Sequence, residues 1–369
     1  MDRTTPIIAK GFTPENGAKV FAIMKTAPRS RRRRTAAAAA VVAAAALAAA
    51  GCSSANSTTT TTPTSTQSAA QADVSDVTLH IGDQAGTGAQ ALLTAAGLIG
   101  KLPFKADWSD FTSGPPMLQA MSGGSVDVGG VGNAPPVFAA AGGDQLVIVG
   151  ALQANPDGSA LLVPKGSGIH DVQQLKGKRI AVAQGSSADY HLLTVLTKAG
   201  ISVHDVTLVY LQPAAGLAAL SSGHVDAWDI WSPFIEEGET LDGATAIVTG
   251  QGYGSPYSFT VASRAALADP AKAAAIRDYL ALIAQAHRWA NSHLSAWAAV
   301  WAKASGLPLA VMAKAAADDS SVATPITPAV IASEQQVANA FTASGLIPGH
   351  VNFANFVDTA YNATAGTAP

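Results

Sequence analysis

Cysteine is the scarcest residue of this 369-residue chain: Cys52 is the only one, which leaves no partner for an internal disulfide and no cysteine-built metal site. The fold must rest on its core. Charge is sparse as well, at 13% of residues where average proteins carry ~25%, and aromatics reach only 6%. The eight histidines show neither the H-x-x-x-H nor the H-E-x-x-H spacing of a helix-borne metal site, and no G-x-S-x-G nucleophile elbow occurs. Gly86-Thr-Gly88-Ala-Gln-Ala91 has the outline of a dinucleotide fingerprint, but Gly82-Asp-Gln-Ala85 separates it from the turn where a fingerprint belongs. No catalytic constellation is visible, and neither a cofactor nor a metal is expected.

What is present begins with an address. Residues 1–52 hold nine Lys or Arg against two acidic residues, with Arg31 to Arg34 consecutive, followed by an apolar run from Ala36 to Ala50. A charged n-region and an apolar h-region make this a signal peptide, since fifteen alanine-rich residues fall short of the ~20 of a membrane span. Starting at Met24 would supply all that such a signal needs, and that start is expected. Ala49-Ala50-Gly51-Cys52 resembles a lipobox, which predicts a lipid on Cys52; ordinary cleavage after an Ala-x-Ala is the competing reading. Residues 53–75 are Ser/Thr-rich, with Thr58 to Thr62 unbroken, and form a tether that cannot bury enough apolar surface to order itself. Without residues 1–52 the chain keeps 13 basic and 23 acidic residues, a formal net charge of −10, which argues against a nucleic-acid partner.

The remaining ~300 residues exceed one ordinary core, so two lobes are expected. Val77–Ile81, Lys105–Phe111, Val126–Val131, Leu146–Gly150 and Ala160–Val163 read as strands alternating with helices, and Pro164-Lys-Gly-Ser-Gly168 breaks the pattern. The reading places a crossing there: first lobe 76–163, second lobe 164–257, and return to the first over 258–369, with hinges near Ala160–Val163 and Ser258–Val261. From Pro270 the pattern is helical almost to the end, and Trp289, Trp297 and Trp301 share one face, which reads as core.

Arg179 to Leu196 organises the rest: an apolar strand, Ile180-Ala181-Val182-Ala183, then a bend at Gly185, then Ser186 and Ser187 before a helical pattern. First-turn N–H groups lack intrahelical acceptors and the helix dipole adds partial positive charge, so small hydroxylated residues there favour an oxyanion without any cationic side chain. The same residues also serve as an ordinary cap with no ligand. What favours a ligand is repetition: turns with Gln84, with Ser113 and Gly114, and with Asn133 also follow strands, and none carries Lys or Arg. Trp228 and Trp231 flank Asp229 at a strand end, and one of the two aromatics is expected to reach the cleft.

Lys165-Gly-Ser, then Asp171 through Gly185-Ser-Ser-Ala-Asp-Tyr-His191, resembles the solute-binding components of aliphatic sulfonate ABC importers. Supporting matches are Ser113-Gly-Pro-Pro-Met-Leu-Gln-Ala120, Gly123-Gly-Ser-Val-Asp-Val-Gly129, Gly132-Asn-Ala-Pro-Pro-Val-Phe138, Ser222 to Phe234 and Gly345-Leu-Ile-Pro348. The resemblance implies an α/β, two-lobed periplasmic-binding-protein fold (type II) with two hinge crossings and a helical C-terminal tail. It implies a monomeric, lipid-anchored exported protein that delivers a small anionic solute to an ABC permease in the membrane and catalyses nothing. The ligand-binding residues expected are Gln84, Ser113, Gly114, Asn133, Ser186, Ser187, Ala188, Asp229 and Trp231, and a permanently charged sulfonate so held predicts an affinity nearly independent of pH. Ser232, Asp189 and Asn133 depart from residues frequent in the group, which leaves nitrate, a pyrimidine precursor or another heterocycle open as the solute. The rival from another class, a pyrimidine-precursor synthase of the same fold, would need a lysine and histidine set and a cytoplasmic address.

Overall fold

The computed structural model describes residues 73–84 and 88–366; the export segment, the Met24 start, Cys52 and the tether lie outside the described residues. The first lobe opens in βαβ order with β1 (Thr78–Gln84), α1 (Ala89–Ala95), β2 (Lys105–Phe111), α2 (Gly114–Ser122), β3 (Val128–Val131), α3 (Ala134–Gly142) and β4 (Leu146–Ala154). The second lobe holds β5 (Ser159–Val163), β6 (Arg179–Val182), α4 (Ser187–Lys198), β7 (Thr207–Tyr210), α5 (Pro213–Ser221), β8 (Ala227–Trp231), α6 (Phe234–Asp242) and β9 (Thr245–Thr249). The chain then returns through β10 (Tyr257–Ser263), α7 (Arg264–Ala268), α8 (Pro270–Ser292), α9 (Leu294–Ser305), α10 (Leu309–Asp318), β11 (Ser321–Thr324), α11 (Pro328–Ala343) and α12 (Ala363–Gly366).

Each lobe has its own sheet, in the orders β11-β4-β10-β3-β1-β2 and β7-β6-β8-β5-β9. β2, β1 and β3 are parallel, as are β7, β6 and β8, so their carboxyl ends and the helix starts that follow face one side. The strands that enter from the other lobe, β5 and β10, run antiparallel to both neighbours, as does β4, which leaves the first lobe. Chain arriving from the cleft meets the sheet at the end where the parallel strands leave it, so it must run the other way.

The crossings are residues 155–158 and 250–256. They run side by side: the Ala154 N–H donates to Pro256 O at 2.7 Å, and the Gly250 N–H donates to Ser159 O at 2.8 Å. A side-chain carbon at Gly250 would stand 1.9 Å from Pro156 O, so only glycine lets the two segments pass. This corrects the crossing expected at Pro164–Gly168. β5 pairs with β8 and β9, and its fully buried Leu161 and Leu162 belong to second-lobe cores, so the first lobe ends near Ala154 and not at Val163. The sequence misleads here because β4 and β5 are equally apolar, and nothing in either names its lobe.

The tail packs on the first lobe. α8 buries Ala273, Ile276, Tyr279, Leu280, Ile283, Ala286 and Ala290 on one face against β1, α1 and α9, with Trp297 and Trp301 in the same core. Each fully buried aliphatic side chain there contributes roughly 1.5–3 kcal/mol. β11 was not anticipated within the helical stretch; four residues pairing with β4 at the sheet edge carry little pattern of their own. No single helix among the described residues is long and apolar enough to cross a membrane.

Candidate functional site

The α4 start is built from below. Ile180, Ala181 and Val182 of β6 are fully buried, and Gly185 takes a left-handed φ of +70°, which bends the chain into the helix. Ser186 is the N-cap, its Oγ accepting the Asp189 N–H at 3.3 Å, while the Gly185 N–H donates to Asp189 Oδ2 at 2.8 Å. Ser187 and Ala188 follow in the first turn, where N–H groups have no intrahelical acceptor. Burial pushes the Asp189 carboxyl up to about 7, the Gly185 N–H opposing and the Asp229 charge adding to the rise.

The facing lobe brings its own turns close. A side-chain carbon at Gly132 would stand 1.8 Å from Ser187 Oγ, and one at Gly185 would stand 3.0 Å from the Phe138 ring, so the two lobes meet here. Gly114, the first residue of α2, lies under the Pro135 ring of α3. Asn133 is buried, donates from Nδ2 to Ser255 O at 3.5 Å, and has no partner for Oδ1. Gln84 donates from Nε2 to Gly130 O at 3.3 Å. Beside Gln84 the start of α1 is occupied: Asp83 accepts the N–H groups of Gln84, Ala89 and Gln90 at 2.7–2.9 Å.

Gln84, Gly114, Asn133, Ser186, Ser187 and Trp231 line one cleft of about 290 Å3 between the lobes, and no Lys or Arg of the described residues joins them. Three residues expected there do not line it. The Ser113 hydroxyl is fully buried and donates across the lobes to Gln212 Oε1 at 2.8 Å, beside Thr112, which does the same at 2.9 Å. The Ala188 side chain turns into the second-lobe core, leaving only its backbone for the turn. Asp229 is fully buried because β8 lies between β6 and β5. Trp228 is the core aromatic of the pair, packed over Gly216, and Trp231 reaches the cleft.

His191 lines the cleft and was not among the residues expected. It lies one helical turn beyond Ser187, the spacing that keeps two side chains on one face, which is the signal that could have found it. Its Nδ1 lies 2.9 Å from Asp229 Oδ2, and Nε2 donates to Thr249 O at 3.3 Å. One proton lies between Nδ1 and the carboxylate, and Nε2 keeps its own, so the pair is neutral as a unit. Burial pulls the His191 pKa down, but the Asp229 charge and hydrogen bonds outweigh it and the pKa rises; burial raises Asp229 as well, against the His191 charge. Both directions mean that the pair holds its proton.

An Escherichia coli protein named for binding aliphatic sulfonates is 34% identical over 288 residues, spanning 77% of this chain and 89% of its own. The chain belongs to the aliphatic sulfonate-binding protein family. The alkanesulfonate-binding protein SsuA of Xanthomonas axonopodis pv. citri, solved bound to MOPS, matches at 35% identity and a TM-score of 0.70, over 77% of this chain and 99% of that one. The periplasmic SsuA of Escherichia coli matches at 33% identity and a TM-score of 0.67, over 76% and 92%. The family described as NMT1/THI5 like matches residues 114–286, the stretch from the start of α2 into α8. The two-lobed fold expected from the sequence is therefore that of the family.

Proposed function

We propose that this chain is the exported solute-binding component of an ABC importer and clamps a small organosulfonate between its lobes. The observation that carries this is a cleft faced by the starts of α2, α3 and α4, furnished with hydroxyl, amide and backbone N–H groups and lined by no Lys or Arg of the described residues. A sulfonate presents three acceptor oxygens and one negative charge. The first-turn N–H groups of Ser187 and Ala188 and the Ser187 hydroxyl supply donors from one lobe, with the Gln84 and Asn133 amides and the backbone at Gly114 supplying the other. The Ser186 hydroxyl orients the turn by accepting from Asp189, and the Asp229–His191 pair supports the α4 face beneath it. Several charge-assisted bonds at roughly 1.5–3 kcal/mol each sustain micromolar binding, which needs ~8 kcal/mol. Closure follows from the same groups, since Gln212 ties the second lobe to Thr112 and Ser113.

The relatives named for aliphatic sulfonates support this ligand class, and the periplasmic one supports export. The protein works as a monomer, held to the membrane by a lipid on Cys52, and passes its solute to a permease without transforming it. A synthase of the same fold would need a lysine in the cleft, and no described lysine lines it. Calorimetric titration with short alkanesulfonates and with nitrate is the test. Micromolar binding of the sulfonates alone is expected; heat from nitrate or a heterocycle and none from any sulfonate would replace the reading. Labelling with a fatty-acid analogue should mark the wild type and not Cys52→Ala.

A further inference from the structure

The α4 start occupies one end of the cleft. Another part of it is bounded by Asn155, Pro156 and Gly158 of the first crossing and by Asp319 and Ser321 of the tail. Asp319 follows α10 directly and lies over the crossing, where a side-chain carbon at Gly158 would stand 3.4 Å from its Oδ1. Among the described residues its carboxylate has no hydrogen-bond or ion-pair partner. Glu236 stands behind Ser232, which also lines the cleft and whose Oγ donates to Glu236 Oε1 at 3.3 Å. Glu236 is 2% exposed, and its Oε2 has no partner. The nearby cation, Lys314, is turned to Glu236 Oε1 at 3.4 Å and to Asp318 at 2.7 Å. His287, which pairs with Ser321 at 3.0 Å, is pulled down to about 4 by burial and carries no charge at neutral pH.

This part of the cleft therefore holds more carboxylate than cation, whereas the α4 end holds donors. The Asp319 side chain is exposed to the cleft, and the Glu236 charge beside it raises its carboxyl above the ordinary carboxylate range. Resting on the sulfonate reading, we infer that Asp319 is the counter-ion for a protonated amine on the solute, so that the preferred ligand is a zwitterionic aminoalkanesulfonate. The anion lies at the α4 start and the ammonium at the hinge. A carboxylate in the amine's place would meet Asp319 and Glu236 with like charge.

Calorimetric titration of the full mature chain at about pH 8, where Asp319 is ionised, compares three probes of similar length: aminopropanesulfonate, propanesulfonate and sulfopropanoate. In the wild type the amine should bind about tenfold or more tighter than the neutral probe, and the carboxylate should bind weakest. In Asp319→Asn the ratio of amine to neutral probe should fall to near one, a ratio that a general loss of folding does not produce. Equal affinity of the three probes in the wild type overturns the inference and leaves the sulfonate reading standing. A preference for the amine that survives in Asp319→Asn overturns the assignment to Asp319, and failure of all three to bind the wild type overturns both readings.

Discussion

Helices α1 and α4 both begin at the cleft, but the first turn of α1 is closed by the protein's own carboxylate, whereas that of α4 is closed only in part. Asp83 receives three N–H groups at α1, two of them from the helix itself. At α4, Asp189 takes only the Gly185 N–H, one residue outside the cap, and Ser186 takes that of Asp189. Ser187 of that turn stands directly against Gly132 of the other lobe. A helix dipole is thus not a ligand site by existing; it becomes one where the chain withholds its own anion.

The largest expected effect concerns what stands under α4. Asp229 and His191 have side chains 0% and 3% exposed, so Asp229→Ala strands a buried imidazole and should cost about 3–5 kcal/mol of stability. Denaturant unfolding measures this; a loss below ~1 kcal/mol would mean that the α4 face stands without the pair. Next, Ser186→Ala and Ser187→Ala should each lower sulfonate affinity about ten- to hundredfold while keeping the backbone donors. Wild-type affinity in both would reduce this turn to a plain helix cap and erase its difference from α1.

A smaller effect belongs to α1. Asp83→Ala removes a cap and should cost ~0.5–2 kcal/mol, and sulfate should then raise the melting temperature of the variant more than that of the wild type, because an emptied helix start accepts an anion. Sulfate stabilising both proteins equally would show that the first turn of α1 does not behave like that of α4.

The strands and helices were legible wherever a period ran long: Lys105–Phe111 was read to the residue, and the helical pattern from Pro270 begins where α8 does. The lobe crossing was not, because Asn155-Pro156-Asp157-Gly158 looks like any turn between two apolar strands. At the site, small and amide residues after strands singled out Gln84, Gly114, Asn133, Ser186 and Ser187, which line the cleft, since position in a strand–turn–helix unit is local information. Asp229 misled because β8 is covered on both faces, which removes the alternation that would tell inward from outward. Asp319 gave no local signal: it reaches the cleft only because the tail folds back over the first crossing, a contact between residues 161 positions apart in the chain.

The smallest expected effect is on pH, and it revises the pH-independent affinity that a sulfonate alone would predict. Asp189 is held at about 7, and Glu334, buried beside Ser255 of the second crossing, at about 8, both raised by burial above ordinary values of 3.8 and 4.5. The folded state keeps these protons more tightly than the unfolded chain, so their contribution to stability is complete below the ordinary values and is lost as pH rises through 7 and 8. His287, pulled down to about 4 from 6.5, acts in the opposite sense, but its contribution is complete above 6.5, which leaves the interval from there to about 8 governed by the carboxyls. Stability should fall across that interval, by at most about 1.4 kcal/mol per pH unit for each group, and Asp189→Asn should flatten the lower part of the fall. Binding follows the same proton. An anion seated on the Ser187 N–H lies beside Asp189 and disfavours its ionised form, so affinity for propanesulfonate should drop a few-fold as pH rises past 7, and the drop should shrink in Asp189→Asn, the remainder belonging to Asp319. A wild-type affinity unchanged from pH 6.5 to 8 would place the sulfonate away from Asp189, and with it away from the α4 start.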